Sequence, residues 1–299
     1  MFLGSSHVYR HVIPSLFDNL TKRETRSFNF GIGAMGSLED YAFYENFLKK
    51  DISPHTKYVF IELLPISHIQ KSILHSTRAK YYLNYHIFST AVNYFKTGLH
   101  SYPREKEKEI IENYTVAYRE NLFKIGLLRE MFMFNLSPHD VSIKVLGKHN
   151  DGFYSIEEET LLHIEESKIF RQDPETIDSN LRAAKAAYQQ SHFLKANKVY
   201  VQYLNGLIEK SKERGIHLIY FLPPMIGPSS YDHMIPVFNQ IDEKHKIDLA
   251  HPVESSEFYK LDIYFDRGHF NDKGAKLFTE KLALKFNQLF TNQSPDRAL

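Results

Sequence analysis

Two short segments at opposite ends of the chain carry residue types suited to nucleophilic catalysis. They are Gly4-Ser5-Ser6-His7 and Asp266-Arg267-Gly268-His269. A serine hydroxyl becomes a useful nucleophile when a base takes its proton and nearby dipoles stabilise the oxyanion. Placed directly after a strand and at the start of a helix, Ser6 would gain free backbone N–H groups and a favourable dipole. Gly4 would permit the sharp turn between the two. By itself Gly-Ser-Ser is common in ordinary loops, and the second segment is what adds weight. An aspartate three residues before a histidine can fold back to accept the imidazole Nδ1–H, leaving Nε2 as a general base. The bland alternative is a polar loop whose histidine caps or packs. Either way the loop enters a helix capped by Asn271 or Asp272.

The remaining chemistry-bearing residues make no rival pattern. His7 adjoins Ser6, but neighbouring side chains at a helix start diverge, so it is expected on the substrate side rather than as the base. His75 and His86 have no metal-ligand spacing, and there is no His-Glu-x-x-His and no phosphate-cradling loop. Gly31-Ile32-Gly33 lacks the third glycine of a dinucleotide turn. The chain has no cysteine, which excludes disulfides and thiolate metal sites. Lysine plus arginine, 37, nearly balances aspartate plus glutamate, 36, so no global basic field recruits nucleic acid. No apolar run approaches the roughly 20 residues of a transmembrane helix.

These segments need elements to hold them, and the chain alternates strand-like and helix-like stretches at both ends. Phe2-Leu3 leads into the Gly-Ser-Ser turn, and Ser27 to Phe30 forms a second short strand. Ser37 to Lys50 is predicted helical, with Ser37 as N-cap and Asp40 near the first-turn amides. Tyr58 to Leu64 is a nearly continuous apolar run, as in a strand buried on both faces of a parallel sheet. Farther on, Phe193 to Arg214 has helical periodicity and ends at Gly215. Ile216 to Leu222 is another buried strand. Pro236 to Lys244 is a short helix with proline in its first turn, and Ile247 to Ala250 is a last strand. Gly274 to Phe290 places Ala275, Phe278, Leu282, Phe286 and Leu289 on one stripe. Such alternation predicts an α/β fold with a parallel sheet of about five strands between two helical layers.

Residues 66–190 interrupt that rhythm with mostly helical sequence, too long for a plain connection. They are predicted to be a helical insertion within a single domain spanning residues 1–299. Tyr81, Tyr82, Tyr85, Phe88, Tyr94 and Phe95 suit either a ligand platform or the buried face of a helix hairpin, and core packing is the expected use. The charge runs Arg104 to Glu109 and Glu157 to Glu159 suit solvated helix faces. Thr291 to Leu299 is expected to be a disordered tail. Met1 to Leu3 is short for a strand, and the sequence could lack an upstream leader or anchor or simply begin with a short strand.

A strand followed by Gly-x-Ser at the N-terminal end, paired with Asp-x-x-His before the last helix, resembles the SGNH or GDSL-like hydrolases. Asn29-Phe30-Gly31-Ile32-Gly33 is similar to that family's second block, and Tyr58 to Leu64 stands where its third strand belongs. Ile216 to Pro224 resembles the strand before the histidine loop. The resemblance covers both ends of the chain but not its helical middle. It implies a three-layer, flavodoxin-like sheet with the helical insertion after the third strand. It also implies Ser6 as nucleophile, His269 as base and then acid, and Asp266 as its orienter. The implied oxyanion donors are backbone N–H groups of Ser6 and of the Gly33-Ala34 turn, with Ala34 where glycine is usual. Ser5 replaces the usual aspartate. The family's third block supplies an asparagine that is missing here. Ser67 or His68 would substitute for it, or the hole would keep two donors. Ser5, His7, Ser67 and His68 are the expected substrate contacts.

The expected activity is hydrolysis or transfer of an ester acyl group through an acyl-enzyme on Ser6, with no metal or organic cofactor. An O-acetyl ester of a carbohydrate is the preferred substrate, so the partner would be an acyl-ester small molecule or a polysaccharide. The divergent Gly-Ser-Ser pattern resembles bacterial envelope proteins that add or remove O-acyl groups. That would place the chain in the periplasm or envelope if it has an upstream leader or anchor, and in the cytoplasm otherwise. The alternatives are an inactive module that binds a glycan or protein, and a lipase-like enzyme with the insertion as lid.

Overall fold

The structure, a computed structural model, describes residues 1–291 apart from 22–24, 51–54, 67–70, 77, 99–102, 124–145, 159–164, 166, 169–171 and 227–230. The chain opens with β1 (Phe2–Gly4), α1 (Ser6–His11), α2 (Pro14–Leu20), β2 (Asn29–Gly31), α3 (Ser37–Lys49) and β3 (Tyr58–Glu62). The insertion follows with α4 (Lys71–Leu74), α5 (Ala79–Tyr82), α6 (Tyr85–Lys96), α7 (Arg104–Leu122) and α8 (Pro174–Ser191). The chain then returns to the sheet through α9 (Lys198–Glu213), β4 (His217–Leu222), α10 (Tyr231–Phe238), β5 (Lys246–Asp248) and α11 (Asp272–Thr291). The five strands pair in parallel in the order β2-β1-β3-β4-β5. That is the flavodoxin-like arrangement expected from the sequence.

The apolar runs of β3 and β4 serve both faces of this sheet. Alternation sends Tyr220 toward Tyr41 of α3, and Phe221 toward Phe278 of α11. On the α11 side, Phe2, Phe17, Phe60 and Phe286 pack ring against ring with centroids 4.8–5.5 Å apart. On the other side the Tyr41 and Tyr200 hydroxyls hydrogen bond at 2.6 Å, which satisfies their polar ends inside the core. Helices α1, α2 and α11 cover the first face, and α3 and α9 the second.

The insertion does more than pad the second face. Its residues 146–158 come back to the free edge of β2, where Asn29 N–H donates to the Asp151 carbonyl at 2.8 Å. A Cβ on Gly152 would lie 1.9 Å from the Asn29 carbonyl oxygen, so only glycine allows this approach. Covering an edge strand in this way blunts its capacity to pair with another chain. The aromatics of α5 and α6 divide between core and surface. Tyr82, Tyr94 and Phe95 are buried, while Tyr81 and Tyr85 are 72% and 69% exposed.

Three local expectations are corrected. The helix predicted from Phe193 starts at Lys198, because Asn197 caps it by accepting from the amides of Val199 and Tyr200. Pro236 sits inside α10 rather than in the first turn of a later helix, since the apolar run Met234 to Phe238 is buried as one segment. Ser37 is the first helical residue of α3 and not its cap; its hydroxyl donates instead to the Pro65 carbonyl, 3.3 Å away. Among the described residues no helix is long and apolar enough to cross a membrane. The expected tail lies almost wholly outside the described residues.

Candidate active site

The site forms at the carboxyl ends of the strands, where ligands of open parallel sheets bind. Gly4 ends β1 with φ +156°, and a Cβ there would lie 2.3 Å from the Val8 side chain and 2.7 Å from Glu62. The chain therefore turns at once from strand into helix. Ser5 caps α1, its hydroxyl oxygen accepting the His7 N–H at 3.2 Å. Ser6 is the first residue of α1, where helix geometry leaves the amide without an intrahelical carbonyl.

Residues 266–269 fold back as the sequence spacing suggests. Asp266 Oδ1 accepts the backbone N–H groups of Gly268 at 2.7 Å and His269 at 2.8 Å. The same carboxylate takes the His269 Nδ1–H, at 2.9 Å to Oδ2 and 3.0 Å to Oδ1. On the far side of the ring, His269 Nε2 lies 2.8 Å from Ser6 Oγ. The structure thus brings together Ser6, His269 and Asp266 across 263 residues of sequence. Burial alone would raise the Asp266 carboxyl, but the hydrogen bond and charge of His269 and the two loop amides hold it below its ordinary value.

The Ile32–Met35 turn follows β2, closed by the Met35 N–H on the Ile32 carbonyl at 3.2 Å. Gly33 and Ala34 are its central residues, and Ala34 has φ +55°, a left-handed conformation that favours glycine. Arg78 of the insertion braces this turn. Its guanidinium donates to the Gly33 carbonyl at 3.1 Å and the Ala34 carbonyl at 3.2 Å, and it grips both oxygens of Glu39 in α3. With both carbonyls taken by Arg78, the turn's orientation is coupled to the insertion. Ser67 and His68, the expected replacements for the third oxyanion donor, lie outside the described residues.

Ser5 and His7 were expected to face substrate, and the structure places both on Glu62. This carboxylate is fully buried at the end of β3. Its Oε2 accepts from the Ser5 amide and the Ser5 hydroxyl, each at 2.8 Å, and its Oε1 lies 2.6 Å from His7 Nδ1. Ser5 is 7% exposed and its hydroxyl is committed. Burial pushes His7 down, but Glu62 outweighs it, aided by Asp266 and the Gly268 carbonyl, and the net shift is upward.

Two further side chains tie α1 to its surroundings. His11 Nε2 accepts the Phe270 N–H at 2.9 Å, fixing the residue after His269. Burial, then the charges of His7, His269 and Arg10, push His11 well below the ordinary histidine value, which suits an acceptor nitrogen. The Asn29 amide donates to the Val8 and Val12 carbonyls at 2.7 and 2.8 Å, while its oxygen accepts the Gly31 N–H at 2.8 Å. Glu62, Arg78, Glu39 and His11 were missed from sequence. Only Glu62 had a legible signal, a single carboxylate inside the apolar run Tyr58 to Leu64. Among the described residues no group of three or more acids or histidines is arranged to hold a metal ion.

This arrangement can activate a hydroxyl by proton transfer to an oriented imidazole, at the first turn of a helix. No protein-family model matches the sequence, and no curated protein is significantly similar to it.

Proposed function

We propose that the chain is a serine ester hydrolase or acyltransferase of the SGNH type, acting on O-acyl esters, with an O-acetylated carbohydrate as the preferred substrate. The observation that carries this reading is the continuous Asp266–His269–Ser6 hydrogen-bond line, with Ser6 at the start of α1. The Gly-Ser-Ser and Asp-x-x-His motifs add the family likeness, as does the strand order, which is shared by many unrelated functions.

The chemistry then runs as follows. Ser6 Oγ attacks the ester carbonyl carbon while its proton passes to His269 Nε2. Asp266 holds the ring in the tautomer with hydrogen on Nδ1 and offsets the imidazolium charge as it forms. The carbonyl oxygen becomes an oxyanion facing the Ser6 N–H and an N–H of the Gly33-Ala34 turn. The C–O bond to the alcohol breaks, His269 returns the proton to the departing alkoxide, and an acyl-Ser6 ester remains. Water, or a second hydroxyl in a transfer, then attacks that ester while His269 takes its proton, the bond from the acyl carbon to Ser6 Oγ breaks, and His269 returns the proton to Ser6 Oγ. The same groups thus serve both halves of the cycle.

The test is labelling of the purified protein by a fluorophosphonate probe with mass mapping. An adduct on Ser6 that is lost in Ser6→Ala and His269→Ala is the expected result. Folded wild-type protein that gives no adduct over hours would sink the reading.

A further inference from the structure

The turn after β2 holds a residue that suits it poorly. The Met35 N–H closes it on the Ile32 carbonyl at 3.2 Å, so Gly33 and Ala34 are its two central residues. Ala34 has φ +55° and Gly33 does not lie at positive φ, which is the sign pattern of a type II turn. A type II turn calls for glycine at its second central position, and alanine stands there. The same four residues could close as a type I turn, in which both central residues have negative φ and alanine fits without strain. The two forms differ by a flip of one peptide plane, the one joining Gly33 to Ala34. A trans peptide sends its C=O and N–H in opposite directions, so the flip also reverses the Ala34 N–H. The intrinsic preference of alanine thus favours the form that the structure does not adopt.

Arg78 supplies the opposing bias. Its Nη1 donates to the Gly33 carbonyl at 3.1 Å, and that oxygen is the one a flip would carry away. Its Nη2 donates to the Ala34 carbonyl at 3.2 Å and to Glu39 Oε2 at 2.6 Å, and its Nε donates to Glu39 Oε1. The Glu39 side chain, in the first turn of α3, is 2% exposed and gives the guanidinium a buried anchor. The planar fork of arginine can serve a carboxylate and two carbonyls together, whereas a lysine ammonium is a single point of contact. On its β1 side the turn is seated by the Ile32 N–H, which donates to the Gly4 carbonyl at 2.9 Å, beside the strand end that leads into Ser6.

We propose that Arg78 is a positioning residue for the oxyanion turn, holding the Gly33-Ala34 peptide in the orientation that alanine disfavours and so directing the Ala34 N–H. The inference rests on the acyl-transfer reading for the use of that N–H, while the hold on the peptide is a separate structural claim. Arg78 belongs to the insertion, next to the start of α5 and 45 residues from Gly33 in sequence. The insertion thereby sets the geometry of a turn that the sheet region forms.

The experiment compares the full chain with Arg78→Met, Ala34→Gly and the double variant. Methionine keeps an apolar stem and removes every donor. Two quantities are read, the rate of fluorophosphonate labelling at Ser6 and the NMR Overhauser contacts of the turn amides. In a type II turn the Ala34 N–H lies against a Gly33 Hα, and in a type I turn it lies against the Gly33 N–H. The wild type is expected to show the first contact and R78M the second. R78M labelling should fall about 100-fold, the lower end of the cost of losing one oxyanion donor. In R78M/A34G the glycine accepts the type II form unaided, so the Hα contact should return and labelling should recover to within about tenfold of wild type. Urea unfolding of the same samples separates this from a gain in stability. Ala34→Gly should raise the midpoint in the wild-type background but not in R78M, where the alanine has already relaxed. An R78M that keeps the Hα contact, or labels within about threefold of wild type, overturns the proposal. So does a double variant that labels no faster than R78M. If R78M fails to fold, Arg78→Lys takes its place, and the same contacts and rates decide. If the peptide flips and returns as expected but the wild type itself never labels, the acyl-transfer reading falls and the hold on the turn stands.

Discussion

Asp266→Asn separates the loop-holding task of the aspartate from its proposed task of orienting a base. Its Oδ1 accepts the Gly268 and His269 amides at 2.7 and 2.8 Å, and an asparagine oxygen in that position keeps both bonds. Its Oδ2, 2.9 Å from His269 Nδ1, becomes an NH2 group that can face only an unprotonated nitrogen. The ring proton then moves to Nε2, which points it at Ser6 Oγ, 2.8 Å away, and can no longer accept one. The loop survives and the base is switched off. The loss of rate should be roughly 10³–10⁴-fold, as for the same substitution in a serine-protease triad. That equals about 4–5.5 kcal/mol of transition-state stabilisation at 1.36 kcal/mol per tenfold. The fold should lose no more than ~1.5 kcal/mol, the ordinary worth of a single hydrogen bond. The assay is the second-order rate constant for fluorophosphonate labelling by intact mass, beside urea unfolding of the same samples. Labelling within tenfold of wild type would refute the role given to Asp266. So would equal collapse of stability and rate, because the aspartate would then be a loop brace only. A linked acid limb provides a second check. The folded Asp266 carboxyl lies below its unfolded value, so its stabilisation is present above ~3.9 and is lost as pH falls through the depressed value, and D266N should lack that component.

Two other predictions concern stability. Ala34→Gly removes a left-handed alanine at φ +55°, a conformation that costs ~1–2 kcal/mol in an L-residue. Glycine gives back about 0.5–1 kcal/mol in unfolded-chain entropy, so urea unfolding should show a net gain of up to ~1.5 kcal/mol, and a loss would mean that the turn needs the methyl group. Asp40 is fully buried with no partner among the described residues for either carboxyl oxygen, and burial, then Glu62 and Glu39, push its carboxyl well above the ordinary value. A carboxyl raised by folding opposes folding once pH exceeds its unfolded value, at ~1.4 kcal/mol per pH unit until the raised value is reached. Asp40→Asn should therefore match the wild type near pH 4 and exceed it by a margin that grows with pH; parallel stability curves would show that Asp40 has an unseen partner.

Much of the scaffold was legible because its signals are local. A strand buried on both faces must be apolar throughout, so Tyr58 to Leu64 and Ile216 to Leu222 announced a parallel sheet. Gly4 is forced by the tight exit from β1, and an aspartate three residues before a histidine can close on itself within one loop. Ser6 and the Asp266–His269 pair were singled out from such local signals taken together with the family likeness, and the structure brings the three together. Errors in the elements fell at their ends and caps, where one side chain such as Asn197 decides where a helix begins, and the expectation that Ser5 and His7 face substrate gave way to their bonds with Glu62.

What the tertiary structure alone decided is which distant groups meet. Glu62 in the apolar run gave no hint that its carboxylate would face Ser5 and His7, because strand register and the α1 turn determine that encounter together. Arg78 stands among many insertion charges, and only packing puts it on Glu39 and the turn carbonyls. Likewise, nothing local in residues 146–158 reveals that Asp151 and Gly152 cover the β2 edge. Sequence periodicity records which face a residue must bury, since burial is a property of the element itself. A buried charge is tolerable only when a partner is brought to it, and that partner is selected by the fold as a whole.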